Sequence, residues 1–323
     1  MEPAFLDGER TDTMKNAPYH EGELAVQRRA GESDVAVRNG VVVQDTILAG
    51  ALSFIRQQPM AALGSQDRDG RLWASLVFGD PGFLDPAGDG RSLRMRLSEA
   101  HRQSVDPFWR NLTIHPEIGM LVIELGSRRR LRINGRASIN PDHVQLEIDQ
   151  AYPNCPKYIQ RRHVRRIGSL GSIAPGDVQQ GTLLDSDRAA LIRRADTFFV
   201  ATAHASRGLD ASHRGGNPGF VNVLDPTTLR IPDYRGNSMF NTLGNLAVNP
   251  AAGLVFPDFE SRRVLQLTGS AEILWDETDV AGESGGTGRF WHFHPEYWLE
   301  TQFPHSIAWE FLDYSPYNPA PKE

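Results

Sequence analysis

Apolar residues along this chain fall mostly in short runs cut by turn signals, the pattern of strands rather than long helices. Met60–Ser65 is one such run, Asp67-Arg68-Asp69-Gly70 a turn signal, and Arg71–Gly79 the returning arm of a hairpin. Ser92–Leu97, Ile118–Leu125 and Arg130–Ile139 read as further strands. Helical spacing is rarer. In Thr46–Gln57, Ile47, Leu48, Ala51, Leu52 and Ile55 recur at three and four residues, and Pro59 closes the element. Asp106–His115 predicts a helix with Asp106 as N-cap and Pro107 at its first position. Pro141–Ile167 predicts two helical pieces broken at Tyr152-Pro153-Asn154-Cys155-Pro156, and Ser169–Asp187, rich in Gly, Ser and Gln, predicts a linker.

The same order then returns. Thr197–Ala203, Leu209–His213, Phe220–Leu224, Thr228–Ile231, Gly253–Pro257 and Arg263–Leu274 read as strands, with a helix over Ser238–Val248. Asn111–Ile139 aligns with Asn245–Ile273 without a gap, and 11 of 29 positions are identical, including Asn111/Asn245, Pro116/Pro250, Gly119/Gly253 and Gly135/Gly269. Ala74-Ser75 answers Ala211-Ser212, and Gly79–Phe83 answers Gly216–Phe220. So long a period marks a duplicated domain, not a solenoid. Several short antiparallel strands with one helix per copy predict a mostly β protein of two small, closed or partly closed barrels. The expected divisions are a lead segment 1–50, a first barrel 51–140, a helical connector and linker 141–187, a second barrel 188–276, and an aromatic tail 277–323 packed on the barrels.

Composition narrows the classes. The 323 residues are 40% apolar and 23% charged, as in an ordinary globular chain, and no apolar run reaches the roughly 20 residues of a membrane span. One cysteine, Cys155, excludes an internal disulfide framework, and no apolar leader is visible at Met1–His20, so the expectation is a cytoplasmic protein that does not enter a membrane. The net charge of −6 argues against bulk nucleic-acid binding. Two arginine clusters, Arg128–Arg130 and Arg161–Arg162 with Arg165–Arg166, read most simply as solvated faces or ion pairs.

The two copies differ where a ligand would sit. Copy two carries Ser212-His213-Arg214-Gly215-Gly216, then Arg235-Gly236-Asn237-Ser238 leading into a helix, with Asn241 in its first turn. A guanidinium fork, neutral donors and free helix N–H groups are what a phosphate monoester needs. Copy one has Ser98-Glu99-Ala100-His101 at that place, so one phosphate site per chain is expected. His213 and Arg214 place an imidazole and a second guanidinium beside that stretch. Cys155, beside Lys157, is a candidate thiolate, although a structural role is the simpler reading. His292 and His294 have no further ligand at metal spacing, and no metal is expected.

The segments Ser212–Phe220, Leu229–Asn237, Asn245–Pro250, Ala151–Gln160 and Glu310–Pro319 resemble the pyridoxamine 5′-phosphate oxidase-like family of FMN-binding split β-barrels, and in particular its tandem members. The resemblance implies an FMN-binding oxidoreductase acting on a small molecule, with electrons supplied by a nicotinamide cofactor or a separate reductase. It implies that Arg235, Gly236, Asn237, Ser238 and Asn241 hold phosphate and ribityl, that Ser212, His213 and Arg214 line the ring and ribityl chain, and that Arg262 or Arg263 approaches the pyrimidine edge. Gly236-Asn237 follows the arginine where the family's oxidases carry an Arg-Lys pair, which makes pyridoxamine phosphate itself a poor expectation as substrate. A flavin- or haem-binding carrier, with His204, His213, His292 or His294 as iron ligands, and a deazaflavin-dependent reductase are alternatives; so is a cofactor-free scaffold. The two copies should pack as a pseudo-dimer inside one chain, and a homodimer of such chains is compatible with that.

Overall fold

A computed structural model describes residues 17–96, 105–166, 178–304 and 306–320. The first barrel holds β1 (Met60–Gln66), β2 (Leu72–Phe78), β3 (Leu84–Pro86), β4 (Ser92–Met95), β5 (Glu117–Glu124), β6 (Arg129–Ile139) and β7 (Val144–Pro153). After β8 (Arg161–Arg166) and β9 (Gln179–Gly181) comes the second, with β10 (Thr197–His204), β11 (Gly208–Gly215), β12 (Asn222–Asp225), β13 (Thr228–Pro232), β14 (Ala251–Asp258), β15 (Arg263–Leu274) and β16 (Phe290–Gln302). The strand orders are β2-β1-β5-β6-β7-β4-β3 and β11-β10-β14-β15-β16-β13-β12, the same path twice. A last strand, β17 (Ile307–Asp313), pairs with β8. The helices are α1 (Glu21–Arg29), α2 (Ser33–Gly40), α3 (Ala49–Gln57), α4 (Pro107–Leu112), α5 (Ser186–Arg194) and α6 (Asn241–Val248). Among the described residues no helix is long and apolar enough to cross a membrane.

The central strands do not alternate apolar with polar residues because both of their faces are buried. In β1, Ala61 and Leu63 fill the first barrel while Met60 and Ala62 face the other barrel. In β10, Phe198 and Val200 fill the second barrel while Phe199 and Ala201 face the first. The shared layer joins Leu76, Leu121 and Ile123 to Phe199, Ala211 and Val255, and each of the larger side chains contributes roughly 1.5–3 kcal/mol through burial. The duplicated chain thus covers within itself the face that one barrel alone would expose.

The identical positions of the repeat have identical duties. Pro116 and Pro250 each offer their carbonyl to the N–H of Ala137 and Ala271, at 2.7 Å in both copies. Arg128 and Arg262 turn the β5–β6 and β14–β15 connections with φ of 56° and 62°. Both copies carry a bulge at Asn134/Gly135 and Thr268/Gly269. Gly119 and Gly253 sit where the barrels touch backbone to backbone: a Cβ at Gly119 would come within 2.5 Å of Asp210, and one at Gly253 within 2.5 Å of Leu72.

Two expectations are corrected. Pro141–Ile167 is not helical: it contains β7, which closes the first barrel beside β6 and β4, and β8. Val144, Leu146 and Ile148 are buried on one face with polar residues between them, a period of two. Phe290–Gln302 is not a tail laid on the barrels but β16, bonded to β15 on one side and to β13 and β9 on the other. Trp291, Phe293 and Trp298 from it lie in the second core. Asp106 caps α4 as expected, its carboxylate accepting from the N–H of Phe108 at 2.9 Å. Ser98–His101 and Ser169–Asp177 lie outside the described residues.

Candidate functional site

A cleft opens where the first barrel, the segment after β7 and the second barrel meet. Its enclosed volume is about 90 Å³, with further space open to solvent at its mouth. Arg130 and Arg132 of β6 form one wall, Asn154, Cys155, Lys157 and Tyr158 a second, and Ser212, His213 and Arg214 of β11 a third. The strand-to-helix connection Pro232–Phe240, without Arg235 and Met239, and the first turn of α6 complete it. The Tyr158 and Tyr234 rings pack at the edge with centroids 4.8 Å apart.

Position along the strands sets the chemistry. Residues of β11 face both the first barrel and α6, and Ser212 meets the two at once. Arg132 is buried, with Nε 2.7 Å from Asp210 Oδ1 and Nη1 donating to the Tyr152 hydroxyl at 2.9 Å. It also donates to Ser212 Oγ, which accepts from Thr242 Oγ1 at 3.1 Å. Arg130 is different. Nε donates to the Cys155 carbonyl at 2.7 Å, and Nη1 lies 3.2 Å from the His213 carbonyl and 3.3 Å from His213 Nδ1. No carboxylate among the described residues pairs with it. Since a guanidinium only donates, His213 Nδ1 accepts and the ring proton sits on Nε2. That Nε2, like Arg214 Nε, is buried without a hydrogen-bond partner among the described residues.

The electrostatics follow. Burial first, then the Arg130, Arg214 and Arg162 guanidiniums, push the His213 imidazole well below its ordinary value, so it is neutral at pH 7. Burial, reinforced by Arg214 and Arg132, brings Arg130 down to about 9. Arg214 is lowered by burial and supported by Asp233, whose carboxylate is 3.9 Å away and bonded at 3.0 Å to Arg289. Both arginines remain cationic at neutral pH. Arg130, Arg214 and Lys157 therefore face one cleft with little opposing charge and with donors unspent. Such an enclosure favours an anion.

Of the residues singled out from the sequence, Ser212, His213, Arg214, Gly236, Asn237, Ser238, Asn241 and Cys155 all line this cleft. Two are not brought there. The Arg235 side chain is exposed, and its carbonyl accepts from the Tyr158 hydroxyl at 3.0 Å. Arg263 lies on β15, bonded at 2.7 Å to both Glu300 and Asp187, and takes no part. Ser238 and Asn241 have spent side-chain donors on Glu32 and Glu23, each at 2.5 Å. The histidines weighed as iron ligands do not gather in the cleft: His213 is in it, His204 bonds Glu21 at 2.9 Å, and His292 and His294 lie together on β16 with ring centroids 6.2 Å apart. Ring nitrogens of His20 and His204 and an oxygen of Glu21 lie within 4.8 Å of one another, but each nitrogen already has a hydrogen-bond partner.

Arg130, Arg132 and Tyr158 also line the cleft, and the sequence did not single them out for it. The signal was present: Arg130 and Arg132 align with the uncharged Val264 and Gln266, an asymmetry between otherwise matching strands. Other arginines of the clusters are ion-paired, Arg129 with Glu124, Arg162 with Asp196, and Arg165 with Glu310.

The pattern of the family described as pyridoxamine 5′-phosphate oxidase matches residues 49–163 and again 184–292. The chain belongs to that family. The two matches fall on the two barrels, so the tandem split-barrel architecture is a property of the family's fold used twice. No curated protein matches the chain. Among solved structures, HupZ of Group A Streptococcus is 17% identical, with 41% of this chain and 98% of that one covered and a TM-score of 0.26. A protein of the pyridoxinephosphate oxidase family from Clostridium acetobutylicum, related to general stress protein 26, is 16% identical over 38% and 89%, with a TM-score of 0.25. The FAD binding protein of Mycobacterium smegmatis is 15% identical over 38% and 99%, with a TM-score of 0.27.

Proposed function

We propose that the cleft binds flavin mononucleotide, one per chain, and that the protein is an oxidoreductase acting on a small molecule through it. The observation that carries this reading is the cationic wall. Arg130, which has no carboxylate partner among the described residues, and Arg214, with an unspent Nε, face a cleft closed by both barrels. A flavin, when bound, supplies the hydride and electron chemistry itself. The chain's part is to seat and tune it. Arg130, Lys157 and Arg214 take the phosphate, while Gly236, Asn237 and the first turn of α6 offer donors to the ribityl chain. Neutral His213, with its proton on Nε2, donates toward the ring without adding charge. Asp210, paired with Arg132, keeps a second guanidinium fixed under Ser212.

The equivalent place in the other barrel has a different character. Gln266 stands for Arg132, Ser75 for Ser212, and the buried carboxyl of Asp106 accepts from Ser75 Oγ at 2.6 Å. A carboxyl there opposes a phosphate, which supports a single site. The deciding test is the ultraviolet-visible spectrum of the purified protein with mass analysis of what denaturation releases. A flavin spectrum with FMN released at one per chain is expected. A colourless protein that takes up no added FMN, or a Soret band, would refute the reading.

A further inference from the structure

We infer that Glu32, Asn39 and Gln27, in a segment preceding the family match, are positioning residues for the cofactor loop at 237–241. The inference rests on the flavin reading for its purpose, though not for its geometry. The loop is strained: Ser238 and Phe240 are both in the left-handed region, with φ of 61° and 60°. Each non-glycine residue so held costs on the order of a kilocalorie and persists only where its surroundings over-determine it. Here the surroundings are the N-terminal strap. Asn39 Nδ2 donates to the Asn237 carbonyl at 2.6 Å, and Ser238 Oγ donates to Glu32. Gln27 Nε2 donates to the Met239 carbonyl at 3.1 Å, and Asn241 Nδ2 donates to Glu23. Four positions of a five-residue stretch are thus pinned by a segment more than 190 residues away in sequence.

The strap is itself held. Gly22 and Gly244 let α1 and α6 touch through their backbones, since a Cβ at Gly22 would lie 2.2 Å from the Gly244 carbonyl oxygen. Glu32 also reaches Arg289 at 3.4 Å, and Arg289 bonds Asp233 at the start of the same connection. The family match begins at residue 49, so these anchors belong to this chain's own lead segment. Their consequence is that Gly236, Asn237 and the first N–H groups of α6 are presented to the cleft already ordered, which lowers the entropy cost of binding.

The test is hydrogen–deuterium exchange on the full-length protein without flavin, beside FMN affinity by fluorescence. In Glu32→Ala, amides of 237–243 are expected to exchange at least tenfold faster while β5 and β10 are unchanged, and FMN affinity is expected to fall at least tenfold. Glu32→Gln, which still accepts from Ser238, is expected to restore most of the protection. If Glu32→Ala loosens β5 and β10 as well, Asn39→Ala, at a partly exposed side chain, decides alone. Unchanged loop exchange in Asn39→Ala, or in a folded Glu32→Ala, overturns the inference. Faster loop exchange in a protein that takes up no FMN would keep the anchoring and defeat only the flavin reading.

Discussion

Arg132 and Gln266 occupy the same position of the two barrels, and each reaches across to the second strand of the other barrel. Gln266 Nε2 donates to the Ala74 carbonyl at 2.9 Å and to Ser75 Oγ at 3.0 Å. Arg132 makes the same two contacts, to the Ala211 carbonyl at 3.2 Å and to Ser212 Oγ. The difference is charge, and the partner strand answers it: Asp210 stands where the other barrel has Trp73, and pairs with Arg132. Arg132→Gln would therefore leave a buried carboxylate unpaired, at a cost of about 3–5 kcal/mol. The double substitution Arg132→Gln with Asp210→Asn should recover most of that. Urea denaturation of the four proteins checks it; additive losses would show that the pair is not coupled.

The cationic wall predicts which arginines matter to flavin. Arg130→Ala should weaken FMN binding by about 2 kcal/mol or more, as loss of a charge-assisted contact does. Arg263→Ala, at a residue engaged by Glu300 and Asp187, should leave it unchanged. Fluorescence titration measures both. Equal effects of the two would remove Arg130 from the site.

Cys155 lies against the same wall, its carbonyl taken by Arg130 and its side chain partly exposed in the cleft. Saturating FMN should slow its alkylation by iodoacetamide at least tenfold, read by mass analysis. Cys155→Ser should keep flavin content intact, because the Arg130 contact is to the backbone. Labelling that proceeds equally fast with and without FMN would place the flavin elsewhere.

The backbone contact between the barrels is also testable. Gly119→Ala and Gly253→Ala each put a methyl about where the opposite backbone lies, so each should destabilise the fold by roughly 1–3 kcal/mol through overpacking. Substitution at an open glycine, Gly50→Ala, should be neutral or stabilising. Thermal denaturation compares the three.

These contacts show what was legible in the sequence and what was not. The repeat was, because the positions that fix it, Gly119/Gly253 and Pro116/Pro250, are constrained by backbone geometry that few other residues satisfy. Strands β7 and β16 were missed together. The longer connection Trp275–Arg289 in copy two breaks the register between them, so neither copy pointed to the other. The cleft was half legible: residues on one copy's strand–helix connection carry a recognisable order, whereas Arg130, Arg132 and Tyr158 reach it from the other barrel. Reading each copy alone hides a site built between them.

The strap carries a titration that can be read in stability. Burial pushes the Glu23 carboxyl up to about 7, against 4.5 ordinarily, with Asp210 adding to the rise and His20 N–H, Asn241 and Arg132 opposing it. Between these values the folded state keeps a proton that the unfolded chain has released, so this contribution falls as pH rises from 4.5 toward 7 and is flat above. The neighbouring His20 runs the other way. Burial, then His204, brings its imidazole down to about 4, so its contribution rises with pH from 4 to 6.5. With Glu23 Oε2 only 3.5 Å from His20 Nε2, the two slopes largely cancel where their windows overlap. Glu23→Gln removes one of them. Relative to the unaltered protein it should gain stability as pH rises from 5 to 7, at no more than about 1.4 kcal/mol per pH unit, and keep a constant advantage above pH 7. Urea denaturation at pH 5, 6, 7 and 8 measures the difference. Parallel profiles for the two proteins would mean that Glu23 is ionised throughout and that α1 carries a buried charge rather than a buried proton.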